Sequence, residues 1–179
     1  MFRDEVKKLT KDIHKYVENL PVMKAIIASE ITPQSYIDYM YQIHLIYEAI
    51  ESNGCFAELG WNVKLADSYL NDIVNLENMF GIERSDCFGI TNIYRKYLKD
   101  LDNLDSLSAH AYVRYMADLM GGSIINKKIP WSSTAYNIDR SAIKIISEYV
   151  NKKVDNKQLF ISEVYNSFMS HAAILQMCS

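Results

Sequence analysis

The stretch Ala109-His-Ala-Tyr-Val-Arg-Tyr-Met-Ala-Asp-Leu-Met-Gly-Gly-Ser-Ile-Ile-Asn-Lys-Lys-Ile129 carries a Gly-Gly pair inside an otherwise continuous helical pattern. Tyr112, Tyr115, Met116, Leu119, Ile125 and Ile129 keep helical spacing on both sides of Gly121 and Gly122. Two interior glycines cost about 2 kcal/mol relative to alanine. The helix therefore either stops at the pair or carries a body that lies too close to its backbone for side chains. The first reading is a glycine C-cap. The second is a flat ligand pressed onto a helix that bends at the glycines. On this stretch alone both readings stand.

Outward from it, a chain of 179 residues can bury one good-sized core, and a single domain over 1–179 is expected. Six glycines and three prolines, with Leu, Ile, Tyr, Met, Lys and Glu at helical intervals, argue for an all-α domain rather than a sandwich or barrel. A net charge of −3 gives no support to nucleic acid as a partner. Cys55, Cys87 and Cys178 are odd in number and lack metal-ligand spacing, which favours free thiols in a reducing, cytoplasmic setting. No apolar run approaches the length of a membrane span, and Met-Phe-Arg-Asp-Glu lacks a signal-peptide core, so no membrane partner is expected.

The first helix is predicted from about Phe2 to Asn19. Val6, Leu9, Ile13 and Val17 form its apolar stripe, and Lys7, Lys11, His14 and Glu18 form a second line at spacings of four, three and four. Two ammonium groups before an imidazole, with a carboxylate one turn on, suit a planar ligand that offers two anions and an iron. The carboxylate would hold the other imidazole nitrogen. A solvated helix face is the alternative reading of the same four residues.

Pro21 interrupts this helix, and a short helical piece follows through Val22 to Ala28. Thr32-Pro33 reads as an N-cap with proline at the first helical position, opening a long helix to about Ser52. Tyr47 on that helix is either a core residue or a hydroxyl aimed into a polar pocket. Helical periodicity resumes from Lys64 to Phe80, through Leu65, Tyr69, Ile73 and Leu76, and stops at Gly81. A helix from about Ile90 to Leu101 turns Ile93, Tyr97 and Leu101 inward. These two helices show only packing. Asp105 or Ser106 is expected to cap the Gly-Gly helix, which runs on to Pro130.

Trp131-Ser-Ser-Thr134 reads as a loop, and a helix follows from about Asn137 to Val150. Arg140 and Lys144 lie four apart on it, a mildly repulsive pair that is explained by solvation or by an anion docked between them. Asp155-Asn-Lys-Gln158 resembles a capping box for the last helix, whose stripe of Phe160, Val164, Phe168, His171 and Leu175 makes His171 a core histidine rather than a ligand.

Thr10-Lys-Asp-Ile-His14-Lys-Tyr-Val-Glu18-Asn19 resembles the proximal-helix motif of the heme oxygenase family, and Ala109 to Gly122 resembles its distal-helix signature. The two occur in the right order and at a comparable separation. The resemblance implies a heme-oxygenase-like helical bundle with heme between the first, proximal helix and a Gly-Gly-kinked distal helix. It implies that His14 is the iron ligand and Glu18 its orienting partner. By the same resemblance Lys7, Lys11 and Tyr112 face the heme propionates, as do Arg140 and Lys144, here with arginine before lysine. Tyr47, Arg114 and Asp118 match the distal hydrogen-bond network, in which the aspartate holds water near dioxygen. Gly121 and Gly122 match the glycines that let the helix backbone lie over the heme, which favours the ligand-platform reading.

This chain departs from the family pattern at three points. Ala117 stands where the family usually has glycine beside the distal aspartate, and its methyl group would crowd the oxygen site. Met120 replaces a common serine, and, as in soluble members of the family, no membrane tail is expected after the last helix. The implied activity is oxidative opening of heme b, both cofactor and substrate, to biliverdin with release of carbon monoxide and ferrous iron. It would use O2 and an external electron donor of the ferredoxin or flavoprotein reductase type, since the chain shows no flavin, nicotinamide or cysteine-cluster motif. A monomer is expected. The first rival is a heme-sequestering protein of the same fold that lost turnover, with Ala117 as the suspect. The second is a helical fold with a di-iron site or a thiamine-type pocket. A di-iron bundle wants Glu-x-x-His pairs, and none of the four histidines has Asp or Glu three residues before it.

Overall fold

The computed structural model describes residues 1–129, 131 and 134–178. Among them the chain forms α1 (Phe2–Leu9), α2 (Lys11–Glu18), α3 (Pro21–Ala28), α4 (Pro33–Glu51), α5 (Ala66–Phe80), α6 (Gly89–Asp100), α7 (Leu104–Lys128), α8 (Ser141–Lys152) and α9 (Lys157–Met177), with a 3-10 turn over Phe56–Leu59. There is no strand among the described residues.

The predicted first helix is divided at Thr10. Its hydroxyl donates to the Val6 carbonyl at 2.8 Å, a back-bond that bends helices, and its backbone flattens to φ −94°, ψ 8°. The rotation leaves Leu9 exposed and buries Thr10 in its place. His14 therefore sits on its own two-turn helix, separate from the helix that carries Lys7.

Helix α7 is the axis of the molecule. Almost every residue from Asp105 to Met116 is buried, as expected of a helix enclosed on all sides. It packs along α9, while α4 packs along α5 and α6. One apolar core runs through all of them. Helix α7 runs unbroken through Gly121 and Gly122, so neither glycine caps it. Its predicted end at Pro130, and Ser132 and Ser133 of the predicted loop, lie outside the described residues.

Buried carboxylates tie the ends of helices together. The cap of α7 is Asn103, which accepts from Ser106 N at 3.0 Å; Asp105 instead accepts from Asn156 N at 2.7 Å, holding the start of α9. Glu51 accepts from Leu65 N and Ala66 N at the head of α5 and from the Tyr115 hydroxyl at 2.7 Å. Asp72 accepts from Thr134 and Ala135. Helix α6 turns Thr91, Tyr94 and Leu98 inward rather than Ile93 and Tyr97, because the Tyr94 hydroxyl pairs with His110 at 2.6 Å in the core. Helix α8 begins at Ser141, later than its apolar pattern suggests.

Candidate active site

A groove of about 600 Å³ opens between α1 and α2 on one side and the second half of α7 on the other, with α3 and α9 closing its ends. Lys7, Lys11, His14 and Glu18 line the first wall. The i, i+4 spacing places His14 Nδ1 3.4 Å from Glu18 Oε1. The edge of the imidazole meets the Phe168 ring at 5.7 Å, and the side chain is 54% exposed. Its Nε2 makes no hydrogen bond to a described residue.

Tyr112, Arg114, Ala117, Asp118, Met120 and Gly121 face this line from α7. Asp118 Oδ2 accepts from the Tyr47 hydroxyl at 2.6 Å and the Tyr69 hydroxyl at 2.7 Å. Its Oδ1 lies 3.5 Å from Arg114 Nη2, and the guanidinium stands over the Tyr47 ring. Arg114 Nη1 lies 3.1 Å from His171 Nε2 and 3.3 Å from Nδ1. A neutral imidazole has one acceptor nitrogen, so a single N–H of Arg114 is received there.

Burial raises the phenols of Tyr47 and Tyr69 well above their usual range, and the charge of Asp118 adds to it. Both therefore remain proton donors at any working pH. Burial lowers His171 well below the ordinary imidazole value, and Arg114 lowers it further. Burial opposes the charge of Arg114, the neighbouring charge of Asp118 supports it, and the guanidinium stays protonated. The result is a dry wall carrying one fixed cation, one carboxylate and two neutral phenols.

The two glycines have different tasks. A Cβ built at Gly121 meets nothing within 4 Å, and that position opens into the groove. A Cβ at Gly122 would stand 2.6 Å from Tyr136 Cδ1, so this glycine serves the close packing of the loop after α7.

The groove gathers Lys7, Lys11, His14, Glu18, Tyr112, Arg114, Ala117, Asp118 and Gly121, with Tyr47 directly behind Asp118. It does not gather Arg140 and Lys144. Arg140, the residue that precedes α8, donates toward Ser123 Oγ at 3.5 Å, and both side chains are exposed and outside the lining. Three contributors escape the sequence pattern: Tyr69, which reads as core on α5; Tyr39, which lines the groove from α4; and His171, which is both buried among core residues and part of the lining. Their apolar spacing conceals them, and nothing local says which hydroxyl or imidazole meets a carboxylate or guanidinium.

A family model described as heme oxygenase matches residues 1–176. The chain belongs to the heme oxygenase family. Among its relatives are the heme oxygenase of Guillardia theta, 26% identical over 173 residues, covering 87% of this chain and 68% of that protein. Another is heme oxygenase 1 of Gallus gallus, 24% identical over 179 residues, covering 93% and 60%. The chain thus spans about half to two thirds of the length of such relatives. Heme oxygenase-1 of the cyanobacterium Synechocystis, solved in complex with heme, superposes with a TM-score of 0.82 at 16% identity, over 98% of this chain and 91% of that one. The heme oxygenase of Leptospira interrogans gives 0.81 at 17% identity, over 98% of both chains. These two likenesses establish the heme oxygenase fold. Among the described residues, no three His, Cys, Asp or Glu side chains gather as a metal site, and no helix is long and apolar enough to cross a membrane.

Proposed function

We propose that this chain opens heme oxidatively to a biliverdin isomer, releasing carbon monoxide and ferrous iron, with O2 and electrons from an external donor of the ferredoxin or flavoprotein reductase type. The observation that carries this reading is a pairing across one groove: an exposed imidazole with a free Nε2 on α2, and a buried Arg114–Asp118 pair on α7 backed by two tyrosines.

The lining suits heme b as substrate and cofactor. Val17, Met23, Ile27, Met116, Ile124 and Phe168 supply apolar walls, of which Ile27 and Ile124 are 43% and 52% exposed. The open Cα of Gly121 admits a flat ring against the helix backbone. When bound, heme supplies a redox-active iron and the tetrapyrrole that is itself oxidised.

The chain's own residues then have separable tasks. Glu18 accepts from His14 Nδ1–H and so presents the Nε2 lone pair to the iron. Lys7, Lys11 and Tyr112 hold the carboxylates and set the in-plane orientation. Tyr112 stays a neutral donor, because burial raises its phenol even against the neighbouring Arg3. Arg114 favours negative charge in the groove. Tyr47 and Tyr69 occupy one oxygen of Asp118, which leaves the carboxylate able to orient a water and pass its proton. The exposed lysines of α1 and α2 beside the groove offer an acidic redox partner a matching surface. In this reading residues 1–179 act as one domain, which the single continuous core supports, and we also propose that it is a cytoplasmic monomer.

The test is titration of the purified protein with hemin, followed by aerobic turnover and product identification. A stoichiometric complex that yields biliverdin is the expected result. A complex that returns intact heme or only peroxidase products would make the protein a heme binder of this fold and overturn the catalytic reading.

A further inference from the structure

Behind Asp118 a row of oxidisable rings leads out of the site. Tyr47, which donates to Asp118, meets Tyr115 at 5.0 Å between ring centroids. Tyr115 meets Trp61 at 6.1 Å, and Trp61 meets Tyr149 at 5.6 Å. Tyr47, Tyr115 and Trp61 are buried, while Tyr149 is half-buried at the surface on α8. The two inner phenols each donate to a carboxylate, Asp118 at 2.6 Å and Glu51 at 2.7 Å. Trp61 Nε1 is buried with no hydrogen-bond partner among the described residues. A buried orphan N–H is costly and rare, and an apolar side chain at this position would not carry that cost. Close packing alone therefore does not account for the choice of side chains.

We propose that Tyr47, Tyr115, Trp61 and Tyr149 form a relay that drains oxidising equivalents from the groove to the surface. The proposal rests on the reading of the groove as a heme site, where peroxide meeting the heme supplies the oxidant. An oxidant in the groove takes one electron from Tyr47, whose phenolic proton moves to Asp118. The vacancy passes through Tyr115, whose proton moves to Glu51, and through Trp61 to Tyr149. Each inner residue regains its electron from the next ring and its proton from its carboxylate. Tyr149 loses its proton to solvent and is restored by a hydrogen atom from an enediol reductant such as ascorbate. Two such passages, with two protons taken from solvent at the groove, reduce one hydrogen peroxide to two waters and oxidise two ascorbate monoanions to their radicals.

The experiment mixes the hemin-loaded protein with hydrogen peroxide and a nitroso spin trap, and maps the adducts by peptide mass spectrometry. Adduct on Tyr149 is expected, suppressed by ascorbate. Trp61→Phe should deplete it severalfold and move adduct inward to Tyr47 and Tyr115, and Tyr149→Phe, which keeps the half-buried ring against Trp61 and removes only the hydroxyl, should likewise move adduct inward. An unchanged Tyr149 adduct in Trp61→Phe, or adducts confined to other residues in the wild type, would overturn the relay. Failure of hemin to bind would overturn the functional reading and the relay with it, whereas binding without Tyr149 adduct overturns the relay alone.

Discussion

The Tyr69 hydroxyl donates to Asp118 Oδ2 at 2.7 Å, from a different helix than the Tyr47 hydroxyl that binds the same oxygen. One carboxylate oxygen on α7 thus receives α4 and α5 together. Removing a hydrogen bond to a buried charged group costs about 1.5–3 kcal/mol. Tyr69→Phe, which keeps the ring, should lower unfolding free energy within that range in a denaturant titration. It should slow biliverdin formation severalfold in a single-turnover assay, and hemin affinity should stay close to wild type, because Tyr69 does not line the groove.

His14→Ala should abolish a histidine-type Soret band on hemin addition, with little loss of stability, since the side chain is more than half exposed. Glu18→Gln should act in the same direction more weakly. Loss of a partner that orients a metal ligand costs roughly 10–100-fold in affinity at buried sites, and at this exposed pair the lower end is expected. Absorbance titration measures both.

The glycine pair gives a contrast between neighbours. Gly121→Ala places a methyl where nothing stands within 4 Å and should stabilise the helix by about 1 kcal/mol, while weakening hemin binding by filling the platform. Gly122→Ala drives a methyl into Tyr136 and should destabilise by roughly 1–3 kcal/mol. Thermal melts of the two apo variants should move in opposite directions.

Ala117 is exposed on the groove wall one residue before Asp118. Ala117→Gly should cost about 1 kcal/mol of stability through helix propensity, which lowers Tm by roughly 2–4 °C in a domain of this size. The rate of biliverdin formation should rise as the methyl leaves the oxygen site. An unchanged rate would remove Ala117 as a brake on turnover.

Stability should fall as the solution is acidified below about pH 6.5. His171 is held neutral in the fold, pushed well below the ordinary imidazole value of 6.5 by burial and by Arg114. The unfolded chain therefore binds a proton that the folded chain refuses, and linkage lowers stability as pH falls from 6.5 toward the folded value. Glu163 titrates in a second, lower window. His110 and the Tyr97 hydroxyl hold it at about 2 against a usual 4.5, so its contribution is lost as pH drops through that interval. His171→Gln should flatten the first window in a pH series of denaturation midpoints and leave the second.

Local spacing determined much of this protein. Lys11, His14 and Glu18 are legible as a line because i, i+3 and i, i+4 neighbours share a helix face, whereas Lys7 lies on α1, across the break at Thr10, and reaches the same groove through the packing of two helices. Thr32 as a cap, Pro33 at the first helical position and Gly81 as a terminator are equally local. The span from Arg114 to Asp118 and the glycine pair likewise sit on one helix, and their relative placement follows from its pitch. What only the tertiary structure decided is which groups meet across elements. Tyr69 and Val74 both lie on α5, but only packing against α4 and α7 brings the Tyr69 hydroxyl to Asp118. Arg140 and Lys144 have the i, i+4 spacing of helical neighbours, yet neither lines the groove. Gly121 and Gly122 are indistinguishable in sequence; the position of Tyr136 assigns one to the groove and the other to the core. The physical reason is common to all three. Helical periodicity orders side chains around one axis, whereas a site is formed where several axes converge, and their mutual rotation is set by the packing of the whole core.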